Sequence, residues 1–292
     1  MKTILITGAD GQLGRTLQQY VKARGGRGEL RYLFTDVDTL DICSKDDLTA
    51  YVQAHGDVSY LINCAAYTAV DKAEDNETAC LRLNSEAVRN IGEVAAASGF
   101  RVIHISTDYV FDGTNSMPYV ETDYTCPVSV YGRSKQMGEM MLRAVCPESL
   151  IIRTSWLYSW FGNNFVSTML RLGRENKEIR VVFDQVGAPT WAGDLAGAIF
   201  SVIERAGADG FRPGIYHYSD EGVCSWYDFA LKIFQIAGID CRVIPIDTKD
   251  YPTRASRPQY SVLNKKKIKQ TYGLTIPHWE ESLRFCLKKL NR

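Results

Sequence analysis

The sequence has no excess of charge of either sign, because 34 lysine and arginine residues balance 34 aspartate and glutamate residues. A strongly basic surface would favour nucleic acid or an anionic membrane as a partner, and we expect neither. No apolar stretch is long enough to span a bilayer, and the opening residues MKTILITGADG contain no cleavage-site pattern. These features predict a cytoplasmic protein.

Patterns typical of metal sites and disulfide frameworks are also missing. The four histidines, at positions 55, 104, 217 and 278, lack the spacing of metal ligands, so no imidazole-based metal site is expected. The eight cysteines are scattered and contain no Cys-x-x-Cys pair. We interpret them as free thiols in a reducing compartment.

The first half of the chain alternates strand and helix patterns. Apolar or β-branched runs predict buried strands at residues 2–7, 30–36, 58–66 and 101–111. Apolar residues at helical spacing lie between them, at residues 14–23, 46–55 and 80–99. This rhythm predicts the α/β class, with a Rossmann-type, doubly wound parallel sheet covered by helices on both faces.

The second half is less regular and rich in aromatic residues. At 292 residues the chain lies near the size at which a single core stops growing. We predict a dinucleotide-binding domain over residues 1–153 and a smaller, irregular α/β lobe, mainly for substrate, over residues 154–292. Residues 150–158 read as one strand, and later strands near residues 179–185 and 214–218 are expected to rejoin the first sheet.

Three glycines follow the first predicted strand. Gly8, Gly11 and Gly14 form a G-x-x-G-x-x-G turn between that strand and a helix, which is where a dinucleotide site requires them. The first permits a tight turn, the second admits phosphate oxygens, and the third lets helix pack on strand. The helix N-terminus would then stabilise the pyrophosphate charge. The alternative is that the glycines only shape a tight loop.

A carboxylate follows the second predicted strand. Asp36 lies 22 residues after Gly14, near the spacing at which an acidic side chain binds the adenosine ribose hydroxyls. Its charge disfavours a 2′-phosphate and so favours NADH, whereas the neighbouring Arg15 leaves NADPH open. Asp36 could instead be a turn residue. Asp41 and Ile42 follow in an extended stretch and are candidates to flank the adenine.

The third predicted strand ends in small residues. Ala65 and Ala66, in the segment NCAAYTAVD, leave room for a flat cofactor to pass across the strand ends. Simple packing would account for the two alanines equally well.

A hydroxyl, a phenol and an amine are spaced as a catalytic group. The strand at 101–111 carries Ser106, Thr107 and Asp108 near its carboxyl end, where open α/β sheets place their chemistry. Tyr131 and Lys135 follow, four residues apart, and would lie on one face of a helix. By themselves they could equally be two residues on a solvated helix face.

Together these groups suit the reduction of a ketone. Hydride arrival creates negative charge on oxygen, which needs a proton that Tyr131 would donate. A free phenol has a pKa of about 10, and we expect the Lys135 ammonium and the helix N-terminus to lower it. Lys135 would also bind the ribose next to the nicotinamide, and Thr107 would orient the carbonyl.

The glycine turn, the strand-end hydroxyl and the Tyr-Lys pair, in this order, resemble the extended short-chain dehydrogenase/reductase superfamily. More specific strings cover nearly the whole chain and are similar to the dTDP-4-dehydrorhamnose reductase family. They are GADGQLG at 8, NCAAYTAVDKAE at 63, STDYVFDG at 106, YGRSK at 131, RTSWLY at 153, DQVGAPTWAGDLA at 184 and RPQYSVLN at 257. The resemblance implies NADPH- or NADH-dependent reduction of the 4-keto group of dTDP-4-dehydro-6-deoxy-L-mannose.

The resemblance also assigns roles to individual residues. It implies that Tyr131 is the proton donor, Lys135 its partner, and that Thr107 and Asp108 contact the sugar. It implies that Trp156 packs on the substrate; without it, Trp156 would equally be a core aromatic. The positions that would line the cofactor are Gly11, Gln12, Leu13, Asp36, Asp41, Ile42, Ala65, Ala66 and Tyr67.

The sequence departs from the family at one place. Some members hold Mg²⁺ at a dimer contact through glutamates, one of them just after the glycine turn. Arg15 and Thr16 occupy that neighbourhood here, and Gly193 and Asp194 occupy the other. We therefore predict no structural magnesium, and a homodimer stays open.

The same superfamily and fold include proteins with three other functions. Related nucleotide-sugar dehydratases place an Asp-Glu pair after the strand-end threonine, whereas this sequence has Asp108 and Tyr109. A nucleotide-sugar 4-epimerase uses the same Tyr-Lys pair but regenerates its NAD. A non-catalytic, NAD(P)-binding regulatory subunit on the same fold is disfavoured by the intact Thr107, Tyr131 and Lys135.

Overall fold

The computed structural model describes residues 2–24 and 30–290. Its strands are β1 (Lys2–Thr7), β2 (Leu30–Thr35), β3 (Val58–Asn63), β4 (Arg101–Thr107), β5 (Leu150–Thr154), β6 (Leu157–Tyr158), β7 (Glu178–Val182), β8 (Val186–Gly187), β9 (Thr190–Trp191), β10 (Gly214–His217), β11 (Cys224–Ser225) and β12 (Arg242–Ile246). Its α-helices are α1 (Gln12–Ala23), α2 (Lys45–His55), α3 (Val70–Ala73), α4 (Glu77–Leu81), α5 (Ala87–Ser98), α6 (Val130–Val145), α7 (Phe165–Glu175), α8 (Ala192–Asp209), α9 (Trp226–Ala237), α10 (Lys266–Tyr272) and α11 (Trp279–Leu290).

A six-stranded parallel sheet in the order β10-β5-β4-β3-β1-β2 forms the centre of the fold. Both of its faces are covered. In β1, Ile4 and Ile6 share one core with residues of α1 and α8, whereas Leu5 lies in a second core with residues of α2 and α5. The predicted Rossmann-type, doubly wound α/β fold is therefore confirmed. Its parallel strands bring their carboxyl ends to one edge, where the candidate residues collect.

One of the two later strands departs from the prediction. The strand near 214–218 does join the large sheet, since β10 pairs with β5. The expectation that the strand near 179–185 joins the same sheet is wrong, because β7 pairs with β12 in a separate two-stranded sheet. The position beside β5 is taken by β10. In addition, Glu178 and Arg180 of β7 are exposed, which suits a sheet with one solvated face better than a buried parallel strand.

A third core lies beyond the large sheet. It is built from α7, α9, α11, β7 and β12, with Val166, Phe229, Ile233 and Leu283 fully buried. Short two-stranded pairs, β6 with β9 and β8 with β11, lie near it.

Two predicted strands are shorter than their sequence patterns. The run at 150–158 breaks into β5 and β6, because Trp156 between them has φ +46°. The run at 101–111 leaves the strand after Thr107 and turns through a 3₁₀ segment, Asp108–Val110. Both breaks place candidate site residues at the end of a strand of the large sheet. Within the part of the chain that the structure describes, no helix has the length and apolar character needed to cross a membrane.

Candidate active site

The glycine turn packs closely against its neighbours. Gly8 has φ +67°, and a Cβ there would lie 2.5 Å from the backbone nitrogen of Ala65. A Cβ at Gly14 would lie 2.3 Å from the Gly8 carbonyl oxygen. Gly11 begins α1, and no side chain among residues 2–24 and 30–290 caps that end. The first amides of α1 therefore have no side-chain acceptor among these residues, as a pyrophosphate site requires.

Asp36 lies directly beside this turn. One carboxylate oxygen accepts a hydrogen bond from the Asp10 backbone nitrogen at 2.9 Å, and the other accepts one from the Val37 nitrogen at 2.8 Å. The side chain is only partly buried. Its carboxylate is thus fixed in orientation and still accessible to a ribose.

The other candidates for lining the cofactor differ in whether their side chains are accessible. Asp41 is half-buried and lies 3.8 Å from Arg82 in an ion pair. Ile42 is buried in the core beside α2 and α5, and Leu13 is buried in the core beside α8. For Ile42 and Leu13, only the backbone is therefore placed to line a cofactor.

Gln12 connects the glycine turn to the second half of the chain. Its Oε1 accepts hydrogen bonds from Asn164 Nδ2 at 3.0 Å and from Ser159 Oγ at 3.3 Å. Asn164 also caps α7 through the Ser167 nitrogen. This contact orders the loop that faces the glycine turn.

Asn84 holds the segment that contains Ala65, Ala66 and Tyr67. Its Oδ1 accepts from the Tyr67 nitrogen at 2.8 Å, and its Nδ2 donates to the Tyr67 carbonyl at 3.1 Å and to Ser134 Oγ at 2.9 Å. Asn84 lies in a π-helical turn, Arg82–Glu86, within the predicted helix. Such turns are frequent at functional sites, but the sequence pattern gave no sign of this one.

Tyr131 and Thr107 are brought together by the start of α6. Ser129 caps this helix by accepting from the Gly132 nitrogen. A Cβ at Gly132 would lie 2.3 Å from the Tyr109 carbonyl oxygen, so α6 packs directly on the turn after β4. The Thr107 hydroxyl donates to Asp108 Oδ1 at 3.1 Å and lies close enough to the Tyr131 phenol to lower its pKa.

The electrostatics of the phenol differ from the prediction. Burial raises the pKa of Tyr131, and the Thr107 contact only partly offsets this. The expected lowering of the Tyr131 pKa by Lys135 is therefore wrong for this arrangement. The Lys135 nitrogen instead lies 2.7 Å from the Ile105 carbonyl, to which it donates, and 3.2 Å from Nε2 of His104.

Lys135 and Asp108 are both buried and both shifted toward their neutral forms. Burial lowers the pKa of Lys135 to about 8, although Glu139 on the next turn of α6 opposes this shift. Burial also raises the pKa of Asp108 to about 6, although Ser261 and the Thr107 hydroxyl, which donates to Oδ1, oppose this shift. Asp108 Oδ2 has no hydrogen-bond partner among the described residues.

Trp156, between β5 and β6, is held in a strained conformation. It is one of two non-glycine residues in the described ranges with positive φ. Its ring stacks on Trp226 with centroids 3.5 Å apart and planes 7° apart. A Cβ at Gly187 would lie 2.6 Å from the same ring. Such strain is typical of functional sites.

A pocket of about 550 Å³ extends from Trp226. Phe165, Gln185, Tyr251 and Arg257 are among its other lining residues. The Arg257 guanidinium lies 2.7 Å from Asp71 and holds the pKa of that carboxyl below its ordinary value.

One residue of the pocket lining also lies near the ring that contacts Tyr131. Arg257 is close enough to Tyr109 to affect its pKa, and the Tyr109 ring contacts the Tyr131 ring edge-on with centroids 5.6 Å apart. The sequence string RPQYSVLN contains Arg257 but did not identify it as a site residue. Within residues 2–24 and 30–290, no three His, Cys, Asp or Glu side chains cluster as metal ligands.

Comparisons with known proteins agree with this geometry. The family model described as "RmlD substrate binding domain" matches residues 1–292. A dTDP-4-dehydrorhamnose reductase of Aggregatibacter actinomycetemcomitans is 40% identical over 291 residues, which covers 97% of this chain and 98% of the relative. The crystal structure of a dTDP-4-dehydrorhamnose reductase from Clostridium acetobutylicum matches with a TM-score of 0.93 at 40% identity and covers 99% of this chain and 100% of that one.

A second solved relative was crystallised with a cofactor. The dTDP-4-dehydrorhamnose reductase of Bacillus anthracis, in complex with NADP, matches with a TM-score of 0.92 at 38% identity and covers 99% of this chain and 100% of that one. The resemblance inferred from the sequence strings is confirmed. The chain belongs to the dTDP-4-dehydrorhamnose reductase family.

Proposed function

We propose that this protein reduces the 4-keto group of dTDP-4-dehydro-6-deoxy-L-mannose to give dTDP-L-rhamnose, with NADPH or NADH as the reductant. The observation that carries the proposal is the convergence of Thr107, Tyr131 and Lys135 at the carboxyl edge of the large sheet, next to the glycine turn. A hydroxyl, a phenol and an amine at that edge suit the reduction of a carbonyl. The names of the relatives point to the same reaction.

The chain's residues fit a dinucleotide cofactor. Gly8, Gly11 and Gly14 admit the pyrophosphate to the start of α1, where side chains would block it. Asp36 would accept hydrogen bonds from the adenosine ribose. The exposed Arg15 follows the turn and would tolerate a 2′-phosphate, in line with the NADP complex of the B. anthracis relative. When bound, the reduced nicotinamide supplies the hydride.

Tyr131 is the proton donor in this proposal. Burial raises the pKa of its phenol, so the O–H is retained at neutral pH and is available to the substrate oxygen. Negative charge that develops on that oxygen makes it a better acceptor for the phenol hydrogen. Thr107, in contact with the phenol, would donate a hydrogen bond to the same oxygen and so orient the carbonyl.

Lys135, Asp108 and Trp156 complete the site. Ile105 and His104 occupy two positions around the Lys135 nitrogen. The remaining position would bind a ribose hydroxyl in the cleft. Asp108 has one carboxyl oxygen without a partner among the described residues, and we assign it to the sugar. The stacked Trp156 would pack on the sugar face.

We assign the nucleotide half of the substrate to the pocket beside Trp226. Aromatic rings at Phe165, Trp226 and Tyr251 offer surfaces for a flat base, and the Arg257 guanidinium suits a diphosphate. Residues 1–153 would then bind the dinucleotide, and residues 154–292 would mainly bind the nucleotide sugar.

The direct test uses the enzymatically prepared 4-keto precursor and follows nicotinamide absorbance with NADPH and NADH in turn. Stoichiometric oxidation of the cofactor with formation of dTDP-L-rhamnose would support the proposal. Isomerisation of a nucleotide sugar without net cofactor consumption would show an epimerase instead. Cofactor binding without turnover on any nucleotide sugar would favour a regulatory subunit.

The cellular setting is part of the same proposal. All eight cysteines are free thiols, which fits a reducing compartment such as the cytoplasm. The family resemblance leaves open whether the protein forms a homodimer. The mass of the native protein in solution tests this.

A further inference from the structure

A chain of buried hydrogen bonds runs beneath Lys135. It begins at Thr7, at the end of β1, passes through Asn63 at the end of β3, and reaches His104 in β4. His104 Nε2 then lies 3.2 Å from the Lys135 nitrogen. Thr7, Asn63, His104 and Lys135 are each at most 2% exposed, so no bulk water competes for these contacts.

The direction of each hydrogen bond follows from one fixed donor. The backbone nitrogen of Ala65 lies 3.1 Å from a terminal atom of the Asn63 side chain, and since a backbone N–H can only donate, that atom is the oxygen. Thr7 Oγ1, at 2.8 Å, donates to the same oxygen. The atom that faces His104 is therefore the amide nitrogen of Asn63.

This orientation sets the tautomer of His104. The Asn63 amide nitrogen lies 3.0 Å from Nδ1 of His104, so Nδ1 must accept. A neutral imidazole carries a single hydrogen, which then resides on Nε2. Burial and the nearby Lys135 hold the pKa of His104 well below its ordinary value, so the ring stays neutral. The Nε2–H therefore points at the Lys135 nitrogen.

We propose that Asn63 and His104 are positioning residues that act on Lys135: the His104 N–H occupies the place where the ammonium would put a hydrogen, and so favours the neutral amine. An amine can accept from His104 Nε2–H, donate one hydrogen to the Ile105 carbonyl, and direct the other into the cleft. An ammonium would instead place one of its own hydrogens against the hydrogen on His104 Nε2. The catalytic meaning of this effect rests on the proposed function.

The other groups around Lys135 act in the opposite direction. Glu139 on α6, Cys64 after β3 and Cys80 on α4 each raise the pKa of Lys135, yet burial still lowers it to about 8. The amine therefore exchanges its proton near neutral pH. After Tyr131 has given its proton to the substrate oxygen, such an amine can take up a proton from solvent and so balance the charge of the tyrosinate, whereas a lysine with an ordinary pKa would stay charged throughout.

The test measures the tautomer of His104 and the pKa of Lys135 separately. In the wild-type protein, the ¹⁵N chemical shifts of the His104 ring should show hydrogen on Nε2. The Asn63→Asp variant keeps the shape but offers an oxygen to Nδ1, so the hydrogen should move to Nδ1 and free Nε2 to accept from an ammonium. The pKa of Lys135, followed by NMR of ¹³C-labelled lysine and identified by the signal lost in Lys135→Met, should then rise by about one unit or more.

Thr7→Val is the matched control, because it removes one donor to Asn63 but leaves the Ala65 N–H that fixes the amide. It should change neither the tautomer nor the Lys135 titration. Hydrogen on Nδ1 in the wild-type protein would overturn the inference, and so would an unchanged Lys135 pKa in Asn63→Asp. If Asn63→Asp does not fold, the wild-type ring shifts decide. None of these measurements needs substrate, so their results do not depend on whether the assigned reaction is correct.

Discussion

The ring of Trp156 lies flat on the ring of Trp226, with centroids 3.5 Å apart, although Trp156 itself has the left-handed backbone φ of +46°. The pairing of β8 with β11 places Gly187 next to Cys224, two residues before Trp226, so one short sheet supports both sides of the Trp156 ring. The indole is thus fixed before any substrate arrives. A ring held in this way binds without the entropy loss of ordering a mobile side chain.

Gly187→Ala tests whether this placement matters for the substrate. The added Cβ would meet the Trp156 ring at 2.6 Å, while the backbone at Gly187 lies outside the left-handed region and accepts alanine. We expect the ring to shift and KM for the nucleotide sugar to rise about tenfold or more, with cofactor affinity retained. Gly197→Ala on α8 is the control, since its nearest neighbour is 3.8 Å away. Equal kinetics for both variants would contradict a substrate role for Trp156.

Arg257→Gln tests the pocket assigned to the nucleotide. Removing the guanidinium should raise KM for the nucleotide sugar by about ten- to a hundredfold while changing kcat less, because binding of a charged diphosphate is lost. Asp71→Asn breaks the same ion pair but keeps the arginine, so its KM should stay near that of the wild type. Steady-state kinetics on both variants check this. Similar losses in the two would indicate a structural role for the pair.

Lys135→Met should weaken both cofactor binding and turnover, because the proposed function assigns to one nitrogen both the ribose contact and the support of the proton donor. We expect the dissociation constant of NADPH, measured by fluorescence titration, to rise about tenfold and kcat to fall by at least about as much. Lys266→Met, on an exposed position of α10, controls for the substitution itself. Unchanged NADPH affinity in Lys135→Met would refute the ribose contact.

The raised pKa values of the buried carboxyls of Asp194 and Asp220 predict that the stability of the fold depends on pH. Burial raises the pKa of both carboxyls, and the charge of Asp194 raises that of Asp220 further. A carboxyl whose pKa is raised on folding stabilises the fold while protonated, below its unfolded pKa of about 4, and this stability is lost as pH rises through the folded value, about 6 for Asp194.

Asp194→Asn should remove that loss, because the amide oxygen can still accept from Ser282 without carrying charge. We expect Tm to exceed that of the wild type by about 2–4 °C at pH 8 and to match it near pH 4. Thermal unfolding across this range checks the difference. A variant that melts lower at pH 8 would show that the charged carboxylate stabilises the fold.

Much of the fold followed from local signals. The strand-glycine-helix unit at Gly8 to Gly14 and the Tyr131-Lys135 spacing are short-range patterns, and periodicity located the strands of the large sheet. By contrast, Glu178 to Val182 reads as a strand but does not reveal its partner, because pairing depends on which strand takes the edge beside β5. Long-range pairing is the information that a local pattern does not carry.

The supporting residues of the site escaped prediction for the same reason. His104 lies in an apolar strand pattern, and its contact with Lys135 arises only when α6 packs on β4. Asn84 was one polar position in a long helix, yet its side chain fixes Tyr67. The lowering of the Tyr131 pKa was wrong because the sequence does not show how deeply the phenol is buried.

The phenol of Tyr131 as proton donor is the central claim, and Tyr131→Phe tests it most directly. The substitution removes one hydroxyl and leaves the glycine turn, Asp36 and Lys135 unchanged. We predict that kcat for reduction of the 4-keto sugar falls by at least about 100-fold while NADPH binds with near-normal affinity, and that Tyr124→Phe, at an exposed position, has no effect. Turnover of Tyr131→Phe within about tenfold of the wild type would contradict the account.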